Sequence, residues 1–492
     1  LRIHNTLTGE KEEFRPIKEG EVRIYVCGPT VYDHSHIGHA KTFVFYDSLV
    51  RYLKFKGYDV KYVRNITDVD DKMIKKAKEE GITIQELAEK YIDSFIEDMK
   101  SLNCILPDVQ PRATAHIPEM IEVIQALIDK GYAYVSNGDV YFSVRKFPEY
   151  GKLSKQRIED LEAGARVEPG EKKRDPLDFA LWKSSKEGEP SWPSPWGRGR
   201  PGWHIECSVM SMKYLGEQID IHGGATDLIF PHHENEIAQS EAYTGKAPFC
   251  RYWVHTGHLR VREEKMSKSL GNVITVKDLL KRGYDPEALR LYLLSAHYRS
   301  QMNFSEDGLR STQETLNRIR ETLLKLRSAS PSKEDDEELI DEILRIKEKF
   351  FEALDDDFNT PRALSEFHEF VKLVNRELPR IGERTKEEME KFFSVFSKIF
   401  GVLEKEYEPS VSDLLDSLIK IRSKLREKKL YEISDWIRER LRQMGIELED
   451  KNGETLVRDL GREKVLREIL DELKDKLKRI GEEEILFSSF FD

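Results

Sequence analysis

Cysteine is scarce: 492 residues carry four, and none belongs to a Cys-x-x-Cys pair, which excludes a disulfide framework and an ordinary zinc finger. Cys27, Cys104, Cys207 and Cys250 lie far apart, so reduced thiols are expected. No apolar run is long enough to cross a bilayer, which excludes a helical membrane span. The amino end mixes Arg2, His4, Glu10, Lys11 and Glu12 with few apolar residues and cannot serve as a secretory signal. A cytoplasmic location with no membrane partner is the expectation. Positive net charge is missing too. The formal charge of −11 argues against indiscriminate nucleic-acid binding, because phosphate attraction grows with the number of basic contacts. No internal repeat is visible.

What is present suits a multidomain globular chain. Hydrophobic content of 39% and aromatic content of 10% fall in the globular range. The length exceeds what one hydrophobic core organises, so two to four domains are expected. A charged content of 35%, rich in Lys, Glu and Arg, resembles that of heat-adapted proteins with surface ion-pair networks.

Val22 to Val26 alternates at its start as a half-buried strand would, and Gly28-Pro29 breaks it. Phe43, Tyr46, Val50 and Leu53 then recur at helical spacing, giving one apolar face that ends near Gly57. Val60 to Ile66, β-branched and aromatic, predicts a second strand. Strand, helix and strand close into a parallel pair, and ligands in such folds sit beyond the strands' carboxyl ends. That edge would gather Cys27, His36 to His39 and Asn65 to Asp68. The Pro/Gly/Ser-rich stretch from Ser184 to Gly202 closes what looks like an insertion. Beyond Glu306 the pattern is persistently helical, with Leu414, Leu418, Ile421 and Leu425 as one apolar set, and Lys451-Asn452-Gly453 marks a turn near the end.

Two short polar segments stand out. His36-Ile37-Gly38-His39 opens the helix after the first strand, where exposed N–H groups and the helix dipole favour anions. Lys265-Met266-Ser267-Lys268-Ser269 lies on a polar stretch, with Gly271 able to help it bend. Each is common by chance alone. Together on an α/β chain they resemble the HIGH and KMSKS signatures of class I aminoacyl-tRNA synthetases. The resemblance implies that a carboxylate attacks the α-phosphate of ATP, with His36 and His39 steadying phosphates and Lys265 and Lys268 meeting departing pyrophosphate. Magnesium would accompany ATP.

Pro231 suits a first helical turn, which sets His232 and Glu236 one turn apart on one face, able to share a metal. His233 and Glu234 are rivals expected to point away from that face. Cys27 and Cys207, read singly, are ordinary buried thiols.

The stretches YVCGPTVYDHSHIGHA from Tyr25, RNITDVDDK from Arg64, GWHIECS from Gly202 and FPHHENEIAQ from Phe230 resemble cysteinyl-tRNA synthetases. That resemblance covers nearly the whole chain. It implies one zinc ion on Cys27, Cys207, His232 and Glu236, joined by the substrate's sulfur, and a cysteine pocket including Gly28, Thr67, Trp203 and Asp227. It implies ATP, L-cysteine and tRNA(Cys) as partners, with Zn2+ and Mg2+ as cofactors. The implied fold class is α/β. A Rossmann-like parallel-sheet catalytic domain (1–105 and 203–305) holds an insertion (106–202), followed by an α-helical anticodon-binding domain (306–430) and a small C-terminal domain (431–492). Asp355 to Pro361 and Asp435 to Arg438 resemble the family's tRNA-binding region. Lys420, Arg422, Lys424, Arg426, Lys428 and Lys429 are candidate phosphate contacts, with Trp436 a candidate stacking surface. His222-Gly223-Gly224-Ala225 departs from the usual His-Gly-Gly-Gly, which matters only if the last position needs positive φ. A cysteine ligase acting on an amino-sugar acceptor, a synthetase-derived nucleic-acid-binding module that has lost catalysis, and a structural zinc protein are the rival readings. The long helical third opposes the first, the intact signatures and zinc ligands oppose the second, and both nucleotide signatures oppose the third.

Overall fold

The alternation at Val22, Ile24 and Val26 becomes strand β1 (Glu21–Val26), in which all three side chains are buried. A computed structural model describes residues 1–162, 172–261, 264–265, 271–331, 334–404, 411–443, 447–451 and 454–458, with 469–470, 472–473 and 476–477. Helix α1 (Ile37–Phe55) follows β1, and β2 (Asp59–Arg64) pairs parallel with it, Val26 opposite Arg64. After a long excursion the chain returns as β3 (Ile219–Ala225) and β4 (Cys250–Thr256), giving a four-stranded parallel sheet in the order β4-β3-β1-β2.

The excursion contains helices Asp71–Glu80, Ile84–Ser101 and Ile117–Asp129. It also contains a separate antiparallel sheet of Ala133–Ser136, Asp139–Phe142, Phe179–Ser184 and Gly199–Pro201. Residues 108 to 113 run along the free edge of β2, with the amide of Asp108 donating to Tyr62 O at 2.8 Å and that of Ile66 to Pro111 O at 2.8 Å. The sheet edge is thereby covered rather than open. After Ser305 four long helices, Glu306–Ser328, Glu337–Asp355, Thr360–Glu377 and Glu383–Phe400, pack around phenylalanines such as Phe350, Phe370 and Phe392. Among the described residues no helix is long and apolar enough to cross a membrane.

The chain divides into two compact units, 1–404 and 405–492. In the second, helices Val411–Glu427 and Tyr431–Gln443 bury Leu418, Ile421, Leu425, Ile437 and Leu441. The strands Glu447–Lys451 and Glu454–Arg458 form a hairpin around the expected turn. Leu414's side chain and the turn residues Asn452 and Gly453 lie outside the described residues. Arg422 departs from expectation: it is 2% exposed and belongs to the interior, not to a phosphate-binding face. Its position explains this, because 422 follows Leu418 by four and precedes Leu425 by three, on the apolar stripe. Lys420, Arg426, Lys428 and Lys429 are exposed and Lys424 half-buried. Trp436 is half-buried, with the Lys476 ammonium 4.9 Å from its ring centre.

Helix α1 also exceeds its sequence pattern. Beyond the expected face of Phe43, Tyr46, Val50 and Leu53, it buries Lys41, Thr42, Asp47 and Ser48. The reason is that the sheet covers one side and helices Pro286–Leu294 and Glu383–Phe400 cover the other. Asp47 accepts from the amide of Ile105 at 2.6 Å, Arg51 Nε at 2.9 Å and Arg290 Nη2 at 2.5 Å. Arg290, fully buried, also donates to Leu102 O, Ser48 Oγ and Phe400 O, so one guanidinium joins four segments. Removing one member of such a pair strands the other. We expect Arg290→Met to cost about 3–5 kcal/mol, as for broken buried ion pairs. A urea unfolding midpoint that stays at the wild-type value would contradict this.

Candidate active site and metal centre

The carboxyl ends of the parallel strands converge on one pocket, as strand order alone requires. Cys27 directly follows β1, and its amide donates to Gly223 O of β3 at 3.1 Å. Helix α2 (Trp203–Leu215) presents Cys207, and helix α3 (Glu234–Thr244) presents Glu236. His232 comes from a wide turn, Ile229–His233, in which Phe230 is extended (φ −136°, ψ 131°). Pro231 therefore sits in this turn, and not in the first turn of α3.

Cys27, Cys207, His232 and Glu236 are all buried, with one candidate ligand atom from each lying within 4.8 Å of the others. The Sγ atoms are 3.8 Å apart, Cys27 Sγ is 3.6 Å from Glu236 Oε1, and His232 Nε2 is 3.0 Å from the same oxygen. Buried His232 Nε2 nevertheless makes no well-formed hydrogen bond despite that 3.0 Å approach. Such a convergence of sulfur, nitrogen and oxygen around an orphaned nitrogen fits a metal ion. The group can therefore hold one.

One expectation is overturned. His233 does not point away: its Nε2 lies 3.3 Å from Cys27 Sγ and 3.9 Å from Glu236 Oε1. Positions three and four residues before Glu236 both neighbour it on a helical surface, so His232 and His233 flank the same carboxylate. Cys27, His222, His233 and Glu236 consequently form a second, overlapping quartet. Glu234 does turn away, accepting from the amides of Gly151, Leu153 and Ser154 at 2.9, 3.1 and 2.8 Å.

An outer ring of side chains, which sequence reasoning missed, aims the inner one. His222 Nε2 holds Glu236 Oε2 at 2.6 Å, and His204 Nδ1 meets His232 Nδ1 at 2.8 Å, leaving His232 Nε2 toward the cluster. His255 Nε2 meets His233 Nδ1 at 2.8 Å and is held in turn by Thr6 Oγ1 at 2.7 Å. Partners of this kind select tautomer and ring orientation. Ala225, the departure from the glycine pattern, has φ −79°, so its side chain carries no strain.

Trp203, 38% exposed, stacks on His232 with centroids 4.0 Å apart. The amide of Gly28 donates to Asn65 Oδ1 at 2.8 Å, and a Cβ there would fall 1.6 Å from Asn65 O, so only glycine fits this crossing. Thr67 is buried, its amide donating to Pro29 O at 3.1 Å. Asp227 is exposed in the short turn Thr226–Leu228 after β3. His36 caps α1, accepting from the amide of His39 at 3.2 Å, and the two imidazoles stack 3.5 Å apart. Lys265 ends the two-residue strand Glu264–Lys265, its backbone opposite Arg260. Its side chain and the whole of Lys268 lie outside the described residues.

Without metal, protons do the neutralising. Burial raises the Cys207 thiol, but a hydrogen bond from Cys27 and the charge of His232 bring it to about 6. Burial opposes a charged His232, yet Cys207 and Glu236 raise its pKa to about 9. Burial likewise opposes Glu236 as a carboxylate, and His222 and His232 hold it at about 2. Cys27 is raised well above an ordinary thiol, by burial first and by Cys207 second. At pH 7 an entering ion must displace the protons of His232 and Cys27, so about two should be released per ion. Affinity therefore rises with pH, steeply until His232 has lost its proton near pH 9 and more gently above it, where Cys27 still holds one. Calorimetric titration of the metal-free protein in buffers of different ionisation heat measures this, and uptake without proton release would refute it.

Residues 13–314 match the family described as tRNA synthetases class I (C) catalytic domain, and residues 349–404 match the DALR domain. The chain is 52% identical over 465 residues to a cysteine–tRNA ligase of Thermococcus gammatolerans, covering 92% of this chain and 97% of that one. It is 49% identical over 477 residues to a cysteine–tRNA ligase of Persephonella marina, with 92% and 98% covered. Among solved structures it resembles an Agrobacterium radiobacter leucyl-tRNA synthetase in a ternary complex with tRNA (TM-score 0.59, 12% identity, 95% and 94% covered). It also resembles Mycobacterium tuberculosis methionyl-tRNA synthetase bound by methionyl-adenylate (TM-score 0.57, 14% identity, 81% and 94% covered). The structural likenesses bear on fold alone; the sequence relationships place the chain in the cysteine–tRNA ligase family of class I aminoacyl-tRNA synthetases.

Proposed function

We propose that the protein activates L-cysteine with ATP to cysteinyl-adenylate and pyrophosphate and then transfers cysteine to tRNA(Cys). One zinc ion per chain selects the substrate, held by Cys27, Cys207, His232 and Glu236. The observation that carries this reading is the orphaned His232 Nε2 among two buried sulfurs and a carboxylate, beneath the exposed ring of Trp203. When bound, zinc supplies a soft acceptor that favours a thiolate over serine's hydroxyl. A site built around one required bond rejects analogues that lack it, so no editing domain is needed.

The chain's residues supply binding and orientation. Trp203 covers His232 and keeps water from the sulfur side. Asp227 offers an exposed carboxylate for the substrate ammonium, while Gly28 and Thr67 shape the opposite wall. His36 and His39 stand at the start of a 19-residue helix, where N–H groups and the dipole favour phosphates. Lys265 and Lys268 meet charge that grows on pyrophosphate as it leaves, with Mg2+ accompanying ATP. We assign residues 1–105 and 203–305 to catalysis and 106–202 to an insertion. Residues 306–430 and 431–492 are assigned to tRNA recognition and a small terminal domain.

Lys268→Ala should slow cysteine-dependent pyrophosphate exchange by about 2.7–4 kcal/mol of barrier while leaving cysteine binding intact. Exchange at the wild-type rate would reject that role. His232→Ala should lower zinc content and weaken cysteine activation together, while the weak activation of serine changes far less. Metal analysis paired with exchange rates for both amino acids tests this, and a zinc-free protein that still strongly prefers cysteine would sink the reading.

A further inference from the structure

Lys41 lies one turn into α1 and is 3% exposed, yet it is not part of the apolar packing. Its ammonium donates to three main-chain carbonyls, Gly257 O at 2.7 Å, Tyr298 O at 3.0 Å and Ser300 O at 3.3 Å. A buried cation satisfied only this way holds those carbonyls in place, because releasing any of them leaves charge incompletely solvated. Gly257 directly follows β4, and Tyr298 to Ser300 lead into the strand Met302–Phe304. These segments touch so closely that a Cβ on Gly257 would lie 2.4 Å from Ser300 O.

The same loop is gripped from its other side. Asp357 is 1% exposed, in left-handed backbone (φ 57°) within the turn between helices Glu337–Asp355 and Thr360–Glu377. Its carboxylate accepts from Tyr298 Oη at 2.5 Å, Arg299 Nε at 2.7 Å and the amide of His4 at 2.8 Å. Tyr298 is thus bound at its carbonyl by Lys41 and at its hydroxyl by Asp357. Its ring stacks on Phe45 of α1, centroids 4.2 Å apart.

What this clamp fixes lies next to the second phosphate signature. Strand β5 (Leu259–Val261) begins two residues after Gly257 and pairs parallel with Met302–Phe304. Its other edge pairs with Glu264–Lys265, placing Lys265 opposite Arg260. Downstream, the amide of Ile37 donates to Ile274 O at 3.0 Å and that of Val276 to Ser35 O at 3.1 Å. Both flanks of the lysine signature are therefore fastened to the helix that carries His36 and His39.

We infer that Lys41, braced by Asp357 through Tyr298, is a positioning residue that sets β5 and the strand Glu264–Lys265 paired with it against the histidine end of α1 for adenylate formation. This rests on the reading of those signatures as the phosphate-handling groups. Misplacing such groups by about 1 Å can cost roughly 100-fold in rate. Without the three carbonyl contacts, β5 keeps its strand partners but loses its fixed distance to α1.

The test is single-turnover adenylate formation by the zinc-loaded full chain, with active sites counted by the pyrophosphate burst. Wild type lacking cysteine-dependent exchange would overturn the assigned activity and not this inference alone. Given wild-type exchange, Lys41→Met should form adenylate roughly 10- to 100-fold more slowly per active site, with site count, cysteine KM and zinc content unchanged. Lys41→Arg, which can still donate to carbonyls, should recover most of the rate. Thr42→Val, removing the adjacent 2.8 Å contact between Thr42 and Thr256 hydroxyls, should leave the rate constant at wild type. If Lys41→Met does not fold, Asp357→Asn carries the test, with a loss of about tenfold expected. A normal rate constant per active site in whichever variant folds, even with fewer active sites, shows a structural role only and overturns the proposal.

Discussion

Two thiols, an imidazole and a carboxylate buried within 4.8 Å of one another form an arrangement that an apolar interior cannot tolerate bare. Their charges must be neutralised by shared protons or by a cation, and either solution works only if the atoms stay within bonding reach. Much of the backbone around the pocket serves that need. Val26, just before Cys27, lies opposite Gly223 of β3, the Ile229–His233 turn presents His232, and α3 points Glu236 back at both. The outer ring of His222, His204, His255 and Thr6 then fixes which face each inner group turns to the centre. A change in that outer ring therefore acts on the inner cluster through its hydrogen bonds.

Helix α1 imposes the second constraint. A helix buried on every side must satisfy its polar side chains internally, and α1 does so with Lys41 on carbonyls and Asp47 on Arg51 and Arg290. These contacts reach the sheet, the segment near Leu102 and the last helix of the bundle. The acidic turn Asp355 to Thr360 is fastened the same way, through Lys56 to Asp355, Lys11 to Asp356 and Thr360 Oγ1 to Leu294 O. That turn resembles a tRNA-binding segment by sequence. Within the fold its charged residues join the helices to the parallel-sheet half.

The strand-helix-strand opening was legible because periods of two and 3.6 survive in the residues themselves, and the carboxyl-edge rule then located Cys27 and Thr67 correctly on the sheet. The four candidate ligands were readable only through motifs, since 180 residues separate Cys27 from Cys207. His222 and His255 gave no signal, because a histidine inside a strand looks the same whether it lines a site or fills a core. His233 was misjudged by following the i,i+4 relation and neglecting i,i+3. Arg422 was misjudged by its basic neighbours, although its spacing from Leu418 and Leu425 already put it on the buried stripe. The burial of α1 on all sides had no local signature at all, because the helices that cover it come from more than 200 residues later.

The two tasks proposed for this site call for different supports, and this follows from what each would require. Selecting a substrate by one bond to a held ion demands donors that do not yield, and Cys27, Cys207, His232 and Glu236 are at most 7% exposed, with His232 stacked against Trp203. Handling phosphates demands donors that can meet charge as it moves. His36 and His39 stand half-buried and exposed at a helix end, and the backbone of Lys265 belongs to a strand only two residues long. Such a strand has little stability of its own, so its placement must come from whatever anchors β5. On the proposed reading, rigid selection and adjustable chemistry share one site because α1 and the sheet hold His36 and His39 apart from the four candidate ligands, while leaving those two imidazoles partly free of close packing.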